Sequence, residues 1–399
     1  MIPNRRRIPA ALLALLLLLL CGAARAEITV TLTFTGDCVI GSTDLVRNRN
    51  DSLDAYAARQ GYSYFMANFR ELFGEDDRTV VSLEGVLSDS AKPDQKDGKA
   101  YRYKGPAAFA GILTAGSVEA VSLSNNHTGD YGAQGRKDTK AVLEANGIAW
   151  FQDSTPYIYE KDGVRVAFLA AENKTFYQND FKGLSSFKDL IRELKSSGQA
   201  DAVVVCWHTG SKYWGEHEEG TEQTAQALIQ SGADLLILNH PHVLQGIGIS
   251  SNRCIFYSLG NFVFGGNREI RTEKYNGNKK SSSLYTAVVR VKLSFGNNGR
   301  YLGQQITVFP AYSSGSGKAN DYRPVRATPE EAVPVREALQ RDTSFELPEI
   351  TADAEGLSRI ELPFLPAFDS VMIPDDEEDA PFGIPEAPNP KPTRKNKSF

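Results

Sequence analysis

The chain has 399 residues, with 44 basic and 49 acidic side chains and a formal net charge of −5. That length accommodates one large domain or two modest ones, and the mildly acidic balance argues against a nucleic-acid-binding surface. Three of its four cysteines, Cys38, Cys206 and Cys254, lie far apart, which argues against a disulfide framework. Cys206 and Cys254 read as small buried hydrophobes.

In chain order, Arg5-Arg6-Arg7, an apolar run from Ile8 to Leu20 and Ala24-Arg25-Ala26 predict a secretory signal cleaved after Ala26, so residues 1–26 are set aside from the fold. The run is short for a membrane span. An uncleaved anchor is one alternative. Lipidation at Cys21 is the other, although Leu20 stands where a small residue is expected.

Apolar strands then alternate with helical stretches. Ile28 to Phe34 alternates and stops at Thr35-Gly36-Asp37, and Thr79 to Leu83 stops at Glu84. Ala107 to Thr114 reads as helix, and Ser117 to Leu123 as a strand ending at Ser124-Asn125-Asn126-His127. Thr139 to Asn146 is a helix closed by Gly147, followed by a strand over Val164 to Ala170 and a helix over Phe187 to Ser196. Ala202 to Cys206 is a very apolar strand before Trp207-His208. Glu222 to Gln230 is a helix, and Leu235 to Leu238 a strand stopping at His240-Pro241-His242. Cys254 to Ser258 and Ser283 to Leu293 are β-rich, and Ile306 to Pro310 is the expected last core strand. Asn267 to Ser282 reads as a mobile loop, Ser313 to Gly317 as a flexible hinge, and Pro329 to Gln340 as an amphipathic helix. The pattern predicts an α/β fold with helices covering a mixed sheet. Its main domain spans 27–315, a C-terminal extension packing on it spans 316–365, and a disordered Pro-rich charged tail spans 366–399.

The ends of these strands carry the chemistry: Asp37, Glu84, Asn126 with His127, His208, then His240 and His242. In a parallel sheet such ends fall on one edge, where α/β proteins place their sites. Mixed oxygen and imidazole donors suit one or two Mn, Fe or Zn ions, and a pair of ions needs a bridging carboxylate, for which Glu84 is the natural candidate. Two imidazoles separated by one proline suit metal better than packing. Each residue also has a plainer reading. Asp37 could cap a helix or turn, Glu84 could be a surface acid, and His208 alone could be a satisfied core histidine. Asp130 could orient His127 or hold a turn, and Asn261 sits in a turn where a structural role is the first reading and ligand contact the second. His217, in a charged stretch, reads as solvated and not as a ligand. Arg102 and Lys104 could meet an anionic substrate, although exposed strand charges are commoner.

Gly36-Asp37, Ser82-Leu83-Glu84, Ser124 to His127 with Gly129-Asp130 and Gly132, His208-x-Gly210, His240-Pro241-His242-Val243 and Tyr257 to Phe262 occur in that order. With Asn320 to Pro324, this set resembles the bacterial capsule synthesis protein family, CapA, associated with poly-γ-glutamate and similar in fold to calcineurin-like metallophosphoesterases. The resemblance covers roughly residues 27 to 330. It implies a four-layer α/β/β/α sandwich in which Asp37, Glu84, Asn126, His208, His240 and His242 hold metal and His127 serves the leaving group; Asp130 is the expected catalytic support beside it. Asn125, Lys104, Lys212, Tyr213 and Asn261 are the substrate contacts expected beside them.

Several positions depart from the pattern. Val39 stands where metallophosphoesterases carry a histidine, and the bridging carboxylate is one methylene longer. Ser82 replaces the family's more usual asparagine, Lys212-Tyr213 stands where Glu-Tyr is frequent, and Leu238 replaces a glycine. The resemblance implies an exported capsule-biosynthesis protein: a metal-dependent hydrolase of a phosphoester or amide, with an anionic polymer or envelope substrate and membrane-bound polymer synthases as partners. The other reading is a non-catalytic binding or assembly component of polymer synthesis or export.

Overall fold

The structure, a computed structural model, describes residues 27–93, 101–177, 182–266, 272–275, 279–316 and 319–367. The expected signal segment and all but the first two residues of the expected tail lie outside the described residues.

Two sheets stack face to face. The larger runs in the order Ser358–Glu361, Tyr301–Tyr312, Tyr285–Phe295, Ile28–Val39, Arg78–Leu83, Ala120–Ser122 and Ala149–Phe151, extended at its first edge by Thr351–Ala352. The smaller runs Ile247–Ser250, Arg253–Phe256, Leu235–Asn239, Ala202–His208, Val164–Glu172 and Tyr157–Lys161. Each is mixed. Ile28–Val39 through Ala149–Phe151 are parallel, as are Val164–Glu172 through Arg253–Phe256, while the flanking strands are antiparallel.

Strand periodicity explains the layers, because successive side chains point to opposite faces. Val30, Leu32 and Phe34 meet Val166, Phe168, Val204, Cys206, Leu235 and Ile237 in one core between the sheets. On the outer face of the larger sheet, Val81, Leu83 and Val121 pack on Phe65 and Phe69 of a turn and on Ile112, Leu113 and Leu143 of helices Ala110–Ala115 and Gly132–Ala145. On the far side, Leu169, Val203, Val205 and Leu236 pack on Phe187 and Ile191 of helix Lys182–Ser196 and Leu228 of helix Glu219–Gln230. The architecture is therefore the expected α/β/β/α sandwich. Among the described residues, no helix is long and apolar enough to cross a membrane.

Four expectations need correction. The first strand does not stop at Phe34 but runs to Val39, with a register shift between Phe34 and Asp37. Ser313 to Ser316 is not a hinge: Ser313 donates through its backbone N to Leu284 O (2.8 Å), and Ser314 Oγ donates to Asp321 Oδ1 (2.7 Å). Within the expected mobile loop, Thr272–Tyr275 and Lys279–Ser282 pair as an antiparallel ribbon. Ile306 to Pro310 lies inside the longer strand Tyr301–Tyr312 and is not the last of the core. Val308 pairs with Ile360, which is buried between the sheets.

Helix Pro329–Gln340 forms where expected, because Thr328 caps it. Its side chain accepts from Glu331 N, while Glu331 accepts from Thr328 N, and Pro329 occupies the first turn. Val335, Ala338 and Leu339 of this helix enter the inter-sheet core.

Two stability predictions follow from these contacts. A Cβ at Gly36 would overlap the Gly260 carbonyl oxygen, which accepts the Asp37 N–H. Gly36→Ala is expected to destabilise by more than about 3 kcal/mol in urea unfolding, because both groups are backbone and neither can yield; a loss below about 1 kcal/mol would contradict the close approach. Thr328→Ala is expected to cost about 1 kcal/mol, and an unchanged midpoint would show that the capping box contributes nothing.

Candidate metal centre

The parallel strands of both sheets end at one edge, and the polar residues gather there. Asp37 sits at the register shift of Ile28–Val39, opposite both Ser82 and Asn261. Glu84 follows Arg78–Leu83, His127 lies past Ala120–Ser122, and His208 is the last residue of Ala202–His208. His240 and His242 follow Leu235–Asn239, with φ of 114° and 60°. Both values are costly for residues with a Cβ, about 1–3 kcal/mol each. The turn is held by His240 N donating to Asp37 Oδ2 (3.0 Å) and Tyr213 N donating to Pro241 O (2.7 Å).

His208 Nε2 is the crowded point. It lies 2.9 Å from Asn126 Oδ1, 2.9 Å from His240 Nδ1 and 3.1 Å from Glu84 Oε1. One imidazole nitrogen carries at most one proton, so it satisfies at most one of these acceptors. On the other side, His242 Nδ1 lies 3.0 Å from Asn261 Oδ1 and 3.4 Å from Asp37 Oδ2. Glu84, His208 and His240 form one potential ligand group and Asp37, Glu84 and His242 a second, each with its ligand atoms within 4.8 Å of one another. Glu84 is common to both.

The chemistry of this donor set fits divalent cations. Asp37 Oδ1, both Glu84 carboxylate oxygens and His208 Nδ1 are buried without an aligned hydrogen-bond partner. Burying such atoms unpaired is expensive, and a cation is the partner that several lone pairs can share. Oxygen and imidazole donors without thiolate suit Mn, Fe or Zn.

The electrostatics reflect this density of charge. Burial opposes ionisation of Glu84, but the charges of His242, His208 and His127 outweigh it and hold the carboxyl well below its usual range. Burial, with the neighbouring His208 and His242, pushes His240 down to about 2, so it stays a neutral donor. Burial also disfavours cationic His208, yet Glu84 and Asp37 outweigh it and raise its pKa.

Beside the ligand set, His127 Nδ1 lies 2.7 Å from Asp130 Oδ2, and His127 Nε2 is buried without a hydrogen-bond partner. The same Asp130 oxygen accepts from Tyr103 N (2.9 Å), and the Tyr103 ring lies against the His127 ring, centroids 4.2 Å apart. Sequence reasoning missed Tyr103; the only signal was its place in the aromatic run Tyr101-Arg102-Tyr103.

Three of the expected substrate contacts have other partners in the structure. Asn125 is buried and bracing the loop: Nδ2 donates to Leu83 O, while Oδ1 accepts from His127 N and Thr128 Oγ1. Asn261 is buried with Oδ1 at His242 Nδ1, which places it behind a candidate ligand. Lys104 turns aside, because its Nζ donates to Ala91 O and lies over the Tyr131 ring. Lys212 is exposed and close enough to His240 for its charge to act there, and the Tyr213 ring is 6.0 Å from that of His242. Val39, where a histidine was absent, packs with Tyr103 and Phe264 in a small apolar cluster. His217 is not a solvated side chain either; it stacks flat on Tyr257.

The profile of a family described as "Bacterial capsule synthesis protein PGA_cap" matches residues 31–266. The capsule biosynthesis protein CapA of Bacillus anthracis is 32% identical over 256 residues, covering 59% of this chain and 60% of that protein. The PGA biosynthesis protein CapA of Bacillus subtilis (strain 168) is 28% identical over 266 residues, covering 61% of this chain and 67% of the other. A crystal structure of a novel phosphatase from Mycoplasma pneumoniae aligns with a TM-score of 0.43 at 12% identity, over 74% of this chain and 97% of that one. With the family profile spanning more than half of its length, the chain belongs to the bacterial capsule synthesis protein PGA_cap family.

Proposed function

We propose that this member of the capsule synthesis family is an exported, divalent-metal-dependent hydrolase acting on a phosphoester or amide of an anionic envelope substrate. The observation that carries the reading is the convergence of Asp37, Glu84, His208, His240 and His242 with buried, unpartnered ligand atoms, next to an oriented imidazole at His127. A divalent ion held there would lower the pKa of water and neutralise charge developing on the scissile group.

The chain's own residues supply the rest. Asp130 accepts a hydrogen bond from His127 Nδ1 and orients the ring, which leaves Nε2 to donate a proton to the departing atom. Tyr103 covers one face of that ring and keeps water from it. Lys212, exposed beside His240, favours an anionic group at the mouth. Export is supported by the basic and apolar N-terminus with Ala24-Arg25-Ala26. The names of the relatives, capsule biosynthesis protein CapA and PGA biosynthesis protein CapA, support a place in capsule synthesis; membrane-bound polymer synthases are the partners this reading proposes.

The second reading, a binding or assembly component without turnover, is favoured by one observation. Val39 and its apolar neighbours Tyr103 and Phe264 supply no ligand where metallophosphoesterases carry a histidine.

Bound Mn, Fe and Zn can be measured by elemental analysis, alongside hydrolysis of chromogenic phosphoesters and γ-glutamyl anilides. The double variant His240→Ala/His242→Ala is expected to lose its metal and at least about a hundredfold in kcat/KM. His127→Ala is expected to keep its metal and lose about 10²–10³ in kcat. Undiminished hydrolysis in the double variant, or a wild type that takes up no metal after supplementation, would sink the hydrolase reading. Full metal occupancy with no hydrolysis of either substrate class would favour the binding component.

A further inference from the structure

The fifth histidine anchors a cluster that the metal centre does not use. The His217 ring lies flat on Tyr257, with centroids 3.6 Å apart at 6°. Its Nδ1 is 2.9 and 3.0 Å from the two carboxylate oxygens of Asp342, and its backbone N donates to Asp342 Oδ2 (3.0 Å). That oxygen also accepts from Gly246 N (2.8 Å). Asp342 lies just past helix Pro329–Gln340, outside the span that the family profile matches, and its side chain is 7% exposed. From helix Glu219–Gln230, Glu222 Oε2 stands 3.6 Å from His217 Nε2. Among the described residues, the titratable and charged groups facing this imidazole are Asp342, Glu222 and the Tyr257 ring.

The cluster connects to the centre through one loop. Residues 211–218 carry His217 at one end and Lys212 with Tyr213 at the other. Gln245 Nε2 donates to Trp214 O (2.9 Å) and Glu216 O (3.0 Å), and Tyr213 N donates to Pro241 O, between the two ligand histidines. A carboxylate from the C-terminal segment thus grips the loop that borders the mouth of the site.

We propose that Asp342 and cationic His217 form a latch through which the C-terminal segment positions the 211–218 loop at the mouth of the metal centre, and that the latch loosens as pH rises. The positioning role rests on the reading of the strand-end cluster as a metal centre; the latch itself rests on the contacts above. Neither residue touches that cluster, so both are positioning residues. Burial disfavours the charged imidazole, but the hydrogen bond and charge of Asp342 and the charge of Glu222 outweigh it and raise the His217 pKa. The sign follows: the ion pair is complete below the ordinary histidine value of about 6.5 and is lost as pH rises through the higher folded-state value. The parallel stack on Tyr257 adds a favourable face for the same cation.

The test is amide hydrogen exchange on the full chain between pH 5.5 and 8.5, expressed as protection factors over 211–218 and at Gly246. Asp342→Asn and His217→Asn should each lower protection there about tenfold, and the double variant should be no worse than either single one. Wild-type protection should fall toward the variants' level as His217 titrates, while the variants stay flat and strand Ala202–His208 is unchanged. Additive losses, unchanged protection, or wild-type protection that ignores the His217 titration would overturn the latch. The wild-type titration alone decides if the variants do not fold. In active enzyme, Asp342→Asn should raise KM about tenfold at unchanged kcat and metal content; an unchanged KM overturns the positioning role. Exchange is read without turnover. An inactive wild type therefore removes the hydrolase reading and leaves the latch to stand or fall on protection.

Discussion

Two carboxylates buried at one sheet edge set the terms for the rest of the molecule. The Asp37 and Glu84 side chains have no solvent exposure. Burying each as an anion costs several kcal/mol unless compensating charge and hydrogen bonds surround it. Asp37 receives one backbone N–H, from His240, while neither Glu84 oxygen has an aligned donor. Imidazoles supply part of the compensation, and His208 is correspondingly drawn toward its charged form. Among the described residues the balance is incomplete, and shared cations, as proposed above, would complete it. The left-handed backbone at His240 and His242 and the close approach of Gly36 to Gly260 belong to the same arrangement, since they bring ligands from both sheets to one point.

The fold delivers those ligands by a simple rule. Parallel strands present their C-terminal ends together, and the antiparallel strands beside them carry none of these residues, while Asn261–Phe264 pairs in parallel with Ile28–Val39 and sets Asn261 opposite Asp37. The inter-sheet core then fixes the spacing between the Asp37–Glu84 side and the His208–His240–His242 side. A substitution that loosens Val204, Ile237 or Phe34 therefore acts on the site through the distance between the two sheets.

The sequence made the strand ends legible, because each apolar run stops at a polar cluster and the alternation sorts inner from outer faces. Helix Pro329–Gln340 was legible to the residue, since its capping box and leading proline are local signals. What escaped reading depends on distant partners. Nothing local marks Tyr103 as the cover of His127, or assigns Asn125 and Asn261 to bracing and Lys104 to a carbonyl and an aromatic ring. His217 looked solvated among glutamates because Asp342 lies 125 residues away. The strand Ser358–Glu361 is too short to announce itself and exists because Tyr301–Tyr312 offers an edge.

The C-terminal segment is part of the folded core through Val335, Ala338 and Leu339, and its Asp342 bonds His217 of the 211–218 loop. The centre itself remains the claim on which the account turns. Anomalous diffraction from crystals of the full chain grown with manganese tests it most directly. The account predicts anomalous density bounded by Glu84, His208 and His240, and a second peak bounded by Asp37, Glu84 and His242, with Glu84 between them. Crystals with saturating manganese and no anomalous peak at either group would contradict it.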